Sequence, residues 1–207
     1  MTKYAHEKAL VSGEATDIGL AIAKRLVEGG ASVLLTARTD AERAHAVAEL
    51  GSVARVVTPS AVGAAVTGDG TAGFGGVGLL FTDAVPTARL LLPYVEDGGA
   101  IVLTAPAPCP DAVRALAAEL AARGVRVNAV APGCIEAPGS GAVPLPPLGR
   151  LGAAEEVARA ALFLATEATF TTGARLPVDG GLGSPCPRAP SSPSTPPLPS
   201  GNLEHTP

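Results

Sequence analysis

Lysine is nearly missing from this chain: it occurs at Lys3, Lys8 and Lys24 and nowhere beyond. With a formal net charge of −4 and no basic run, the sequence offers no electrostatic footprint for nucleic acid. Tyrosine is as scarce, at Tyr4 and Tyr94 only. Any chemistry that needs a tyrosine or a lysine in the second half of the chain is therefore excluded. The cysteines, Cys109, Cys134 and Cys186, are an odd set without metal-ligand spacing. Neither a disulfide framework nor a metal centre is expected from them, and a reducing cytoplasm is the compartment they imply. Met1 to Glu7 holds no apolar segment of the signal-peptide kind, and no uninterrupted apolar run is long enough to cross a bilayer. No membrane partner is expected.

What is present is a chain of 207 residues, 47% hydrophobic and 16% charged, enough for one domain with a sizeable core. Short apolar runs alternate with helical patterns. Lys8 to Ser12 reads as a buried strand. Ile18, Ile22 and Leu26 recur at helical spacing until Gly29-Gly30. Ala31 to Ala37 is a second strand, Asp40 to Leu50 a second helix and Val53 to Thr58 a third strand. Residues 59 to 76 carry little helical signal. Val77 to Thr82 and Ala100 to Thr104 are further strands, with a short helical stretch from Thr87 to Tyr94 between them, limited by Pro93. Asp111 to Arg123 is a helix after Pro110, Val125 to Ala131 a strand, Ala153 to Ala165 a helix and Ala174 to Val178 a last strand. The alternation predicts an α/β fold, a doubly wound parallel sheet with helices on both faces, in a single domain (residues 1–183).

From Ser184 the composition turns to proline and serine. Such a tail cannot bury enough apolar surface to offset ordering, so residues 184–207 are expected to be disordered or extended. Pro193-Ser194-Thr195-Pro196 has PxxP spacing, for which a featureless tail is the plainer reading.

Four stretches carry a family resemblance. Ser12-Gly13-Glu14-Ala15-Thr16-Asp17-Ile18-Gly19 follows the first strand and opens a helix, the unit that aims backbone N–H groups and a helix N-terminus at a phosphate. Ala115 to Leu120 is followed by Arg123-Gly124-Val125-Arg126-Val127-Asn128-Ala129-Val130-Ala131-Pro132-Gly133. Leu148-Gly149-Arg150-Leu151-Gly152 precedes Glu155-Glu156-Val157-Ala158. Thr172 to Gly181 closes the series. In this order they resemble the short-chain dehydrogenase/reductase family across most of residues 7 to 183. The resemblance implies a seven-stranded Rossmann-like sheet and NAD(P)-dependent redox chemistry on alcohols and carbonyls. It also implies cofactor contacts at Ser12, Gly13, Ile18, Gly19, Arg38, Ala84, Pro132 and Gly133, Arg38 suiting the 2′-phosphate of NADP.

The sequence departs from that family where chemistry is done. Asp17 replaces the middle glycine of the turn, and Asp83 stands near the cofactor's path. At ~4 Å and an effective dielectric of ~20, each such charge opposes an anion by about 4 kcal/mol before screening. Little NADPH binding is the expectation. The family's Tyr-x-x-x-Lys is absent, and Tyr4-Ala5-His6-Glu7-Lys8 matches it in letters only, ahead of the first strand. In the family the tyrosine is the acid or base at the hydroxyl, and the lysine lowers its pKa, so hydride transfer here lacks its usual proton partner. Substitutes near the ends of strands four to six are Asp83, Cys109, Asp111 and Glu136, with Thr104 able to orient a carbonyl. The catalytic candidates are Thr104, Asp83 and Cys109. No metal is expected, and NADP or no cofactor stand as equal readings.

Two functional readings follow. The first is an atypical member acting on, or binding, a small metabolite without the hydride-transfer residues, as a cyclase, isomerase, dehydratase or non-catalytic homologue. The alternative is a divergent NADP-dependent oxidoreductase that reduces a carbonyl. The shortened helices leave the region around residues 153–181 as the surface for a homodimer or a partner protein.

Overall fold

A computed structural model describes residues 3–13, 17–68, 74–136 and 144–183. The Pro/Ser-rich tail from Ser184 lies outside the described residues, as do Glu14, Ala15 and Thr16 of the glycine turn.

Seven strands form one parallel sheet: β1 (Lys8–Ser12), β2 (Ser32–Thr36), β3 (Ala54–Val57), β4 (Val77–Thr82), β5 (Val95–Leu103), β6 (Arg126–Pro132) and β7 (Arg175–Val178). Their spatial order is β3-β2-β1-β4-β5-β6-β7. The order reverses between β1 and β4, where Ala9 to Ser12 pair with Leu79 to Thr82. Such a switch point opens a crevice beyond the carboxyl ends of the strands.

The helices cover both faces. They are α1 (Asp17–Glu28), α2 (Asp40–Leu50), α3 (Val62–Thr67), α4 (Val85–Leu91), α5 (Pro110–Leu120) and α6 (Ala154–Leu162). Successive strand side chains point to opposite faces, and the core divides accordingly. Ala9, Val11, Val33, Leu35, Leu79 and Phe81 pack with α1, α2 and α6, while Leu10, Leu34, Leu80 and Ile101 pack with α3, α4 and α5. This two-sided burial is why the strands read as continuous apolar runs.

The structure differs from the sequence expectation in two places. Residues 59 to 67 form a 3₁₀ turn, Pro59–Ala61, and then α3, because Val62, Ala65 and Val66 are buried against the sheet. The fifth strand begins at Val95, earlier than Ala100. It passes through Gly98-Gly99, and a Cβ on Gly99 would stand 2.7 Å from the Gly78 carbonyl oxygen. Glycine there lets β5 close on β4, across a register shift between Val77 and Leu79.

Arginine side chains hold the far ends of two elements. Arg126 on β6 donates to the carbonyls of Leu164 (2.7 Å) and Ala165 in the π-helical turn Phe163–Glu167 that ends α6, and to that of Ala168 (3.0 Å) just after it. Burial lowers the pKa of its guanidinium. Arg123 donates to the carbonyls of Val95 and Leu92 and bonds Asp97 at 2.7 Å. At the start of the chain Tyr4 is buried against Gly29, where an added Cβ would lie 2.1 Å from its ring. No helix among the described residues is long and apolar enough to cross a membrane.

Candidate functional site

The crevice at the β1/β4 switch is a groove of about 390 Å³. Val11, Ser12 and Gly13 come from the end of β1, and Asp17, Ile18, Gly19 and Ile22 from the start of α1. Phe81 and Asp83 come from the end of β4, and Thr104 and Pro106 from beyond β5. Val11, Ile22 and Phe81 form its apolar wall.

Gly13 is fixed by the tip of β2. Its N–H donates to Thr36 Oγ1 at 3.1 Å, and the Thr36 hydroxyl returns a bond to the Gly13 carbonyl at 3.3 Å. The glycine has φ +152°, and nothing lies within 4 Å of an added Cβ, so the turn leaves open space above it. Asp17, the first residue of α1, has φ +40° and is the one described non-glycine residue in the left-handed region. A side chain there costs roughly 1–2 kcal/mol relative to ordinary backbone, less for aspartate than for most residues.

Opposite, Asp83 accepts from Thr87 Oγ1 (3.3 Å) and Thr82 Oγ1 (3.4 Å). Thr104 is tied to β4 through its N–H, which donates to the Thr82 carbonyl at 2.8 Å, and its hydroxyl leans toward the same oxygen at 3.5 Å. That long second bond leaves the hydroxyl available to a ligand.

Of the residues expected at a site, Ser12, Gly13, Ile18, Gly19, Asp83 and Thr104 therefore meet in one groove. The others lie apart from its lining. Arg38 follows β2, and its N–H donates to Glu42 Oε2 at 2.8 Å. Ala84 is the residue before α4. Cys109 is an exposed residue before α5, and Asp111 pairs with Arg114 at 2.8 Å. Pro132 ends β6 within the sheet, and the Gly133 N–H donates to the Val178 carbonyl at 2.9 Å. An added Cβ on Gly133 would stand 2.6 Å from Asp179 Cα, so this glycine serves the β6–β7 approach. Glu136 lines a neighbouring depression with Asp17, Lys24, His45 and Glu155. Tyr4 and Lys8 stand at the amino end of β1, across the sheet from the groove. Sequence reasoning missed Thr36, whose signal was a lone hydroxyl at the end of an apolar strand.

Among the described residues no lysine or arginine lines the groove, while two carboxylates do. Its shape, with a bare glycine turn at a helix start, suits a dinucleotide. Its charge does not suit a pyrophosphate, and Gly13 has already given its N–H to Thr36. Among the described residues no group of three or more His, Cys, Asp or Glu is placed to share a metal ion.

Comparison with known proteins bears on the family and the fold. Residues 104–183 match a family model described as enoyl-(acyl carrier protein) reductase. The 3-oxoacyl-[acyl-carrier-protein] reductase FabG of Thermotoga maritima is 49% identical over 76 residues, 32% of this chain and 31% of that protein. The chain spans about a third of the length of the curated relatives it matches. Two solved structures share the fold. A short-chain oxidoreductase from Pseudomonas aeruginosa PAO1, described as containing an atypical catalytic center, has a TM-score of 0.73 at 23% identity. It covers 89% of this chain and 100% of its own. A blue fluorescent protein from a metagenomic library, solved in complex with NADPH, has a TM-score of 0.76 at 22% identity. It covers 88% of this chain and 100% of its own.

Proposed function

We propose that this chain, which belongs to the short-chain dehydrogenase/reductase family, is a divergent oxidoreductase acting on the alcohol or carbonyl group of a small metabolite. The nicotinamide dinucleotide that the resemblance implies as redox partner meets two carboxylates in the groove, so its binding is the point to be tested. The observation that carries the reading is the convergence of the glycine turn, Asp83 and Thr104 on one groove at the β1/β4 switch. The relatives matched by sequence are oxidoreductases, which supports the same class.

The chain's own residues divide the work as follows. The Thr104 hydroxyl donates a hydrogen bond to the substrate oxygen and orients it. Asp83, steadied by two threonine hydroxyls, is the titratable group on the same side of the groove and exchanges the proton at that oxygen. The apolar wall of Val11, Ile22 and Phe81 receives the uncharged part of the ligand.

Titration calorimetry with reduced and oxidised dinucleotides, on the wild-type chain and on Asp17→Gly, tests this directly. Binding by either protein supports the assignment. Turnover of a carbonyl or alcohol panel that falls at least tenfold in Asp83→Asn and Thr104→Ala supports the roles. Absence of dinucleotide binding in both proteins would overturn it. That outcome favours a second reading, a metabolite-binding or non-redox protein on the same scaffold, whose supporting observation is the missing Tyr-x-x-x-Lys pair.

Residues 153–181 are the surface we assign to a homodimer or partner. The support is the edge position of β7 and the exposure of Phe163 (47%) and Phe170 (105%) nearby.

A further inference from the structure

The lining of the groove specifies the charge of its ligand. Asp17 stands on the α1 side and Asp83 with Thr104 on the β4–β5 side, and among the described residues no lysine or arginine joins them. The adjoining depression shares Asp17 and adds Glu136 and Glu155. Of its cations Lys24 is bonded to Glu49 at 2.6 Å, which leaves His45 as the other basic group there. Ser12 is a second and independent mark. It lines the groove and is 9% exposed, and its hydroxyl makes no hydrogen bond among the described residues. A polar group so far buried ordinarily has a partner. Val11, Ile22 and Phe81 add an apolar wall to a space of about 390 Å³, at the small end of ligand pockets.

Three classes of ligand fit this lining poorly. An anion meets two fixed carboxylates. A bare metal ion finds no group of three His, Cys, Asp or Glu placed to share it among the described residues, and the apolar wall offers it nothing. A neutral molecule drives water from the carboxylates and returns no charge to them. An organic cation meets every demand. Its ammonium answers Asp17 and donates to the Ser12 oxygen, and its carbon frame covers the apolar wall. We propose that the groove takes a small amine-bearing metabolite, an amino alcohol or amino ketone. Its ammonium is held by Asp17 and Ser12, and its hydroxyl or carbonyl oxygen lies at Thr104 and Asp83. The place of that oxygen rests on the oxidoreductase reading, whereas the ammonium site needs no dinucleotide.

Titration calorimetry of the full chain at low ionic strength tests this with four probes: phenylethanolamine, phenethylamine, the neutral phenethyl alcohol and the anionic phenylacetate. The two amines are expected to bind about tenfold or more tighter than phenethyl alcohol, with phenylacetate weakest. Asp17→Asn keeps the side chain's size and removes its charge. It should weaken both amines about tenfold and leave phenethyl alcohol unchanged. Asp17→Gly, which also relieves the backbone, should do the same. Thr104→Ala should weaken phenylethanolamine and spare phenethylamine, which has no hydroxyl. Added salt should weaken amine binding to the wild type, because screening weakens attraction. Amines bound no tighter than phenethyl alcohol, or as tightly by Asp17→Asn as by the wild type, would overturn the proposal, as would no binding of any probe. Redox turnover of neutral alcohols with no preference for amines would overturn it and leave the oxidoreductase reading standing. Amine binding by a chain that takes no dinucleotide would support the ammonium site and sink the redox reading instead.

Discussion

Asp17 is where local backbone and ligand chemistry meet. Its φ of +40° is the conformation that glycine adopts without strain, and the helix start it occupies partly compensates by favouring a negative side chain. Asp17→Gly is therefore expected to stabilise the fold by up to about 1 kcal/mol, or roughly 2–4 °C in melting temperature for a chain this size. Asp17→Ala keeps the strain, loses the charge at the helix start, and should melt lower than the wild type. Calorimetric melting of the two variants side by side separates these effects. The contribution of sequence is clearest at this scale too. The glycine spacing located the turn and exposed Asp17 as a departure. It did not reveal that Thr36, distant by the whole of α1 and β2, grips Gly13 from both sides. A hydrogen bond between strand tips depends on register, which spacing along the chain does not encode.

At the scale of elements, helix ends are held by side chains from elsewhere. Arg126→Ala removes three acceptor contacts at the end of α6 and should cost about 2–3 kcal/mol, since hydrogen bonds to a charged group exceed neutral ones. Arg126→Met, which keeps the stem, should lose nearly as much. Chemical denaturation of both variants checks this. The start of α6 is pinned by Glu156, which accepts from Arg150 at 2.7 and 2.8 Å and from the Ala153 N–H at 2.9 Å. The Arg150 guanidinium, and next the Ala153 amide, lower the Glu156 pKa from 4.5 to about 2. A carboxylate depressed in the folded state binds fewer protons there than when unfolded. Its stabilisation is thus full above about pH 4.5 and is lost as pH falls toward 2. Melting temperature measured between pH 6 and pH 2.5 should fall less steeply in Glu156→Gln than in the wild type. Boundaries of α2, β1 and β4 were legible from residue patterns alone, because capping residues and continuous apolar runs mark them. That of α3 was not: its buried face is alanine and valine among glycines, and packing on the sheet rather than local propensity makes it helical.

At the scale of the whole molecule, the alternation of apolar runs and helical patterns was enough for the fold class, since both faces of each central strand are covered. Function was less legible. Of the residues that resemblance would recruit, Arg38, Ala84, Pro132 and Gly133 lie near strand ends yet outside the groove's lining, and Cys109, weighed as a substitute for the missing pair, is exposed before α5. Assembly is testable at this scale. If the edge around β7 is the dimer surface, sedimentation should show a dimer at micromolar concentration and Phe170→Ser should shift it toward monomer. A wild-type monomer at high concentration would remove that assignment.

The strand order also sets a timetable. β1 is made first, but one of its two neighbours is β4, and the groove needs in addition Thr104 and Pro106 beyond β5. A chain emerging from the ribosome therefore carries its glycine turn long before it has a groove. Only once the chain is out past Pro106 can β4 and β5 dock and close the crevice. Pairings so distant along the chain form slowly relative to local ones. Any molecule that binds here binds a nearly finished sheet. It would act as a late brake on unfolding, holding together the strands that synthesis separates most.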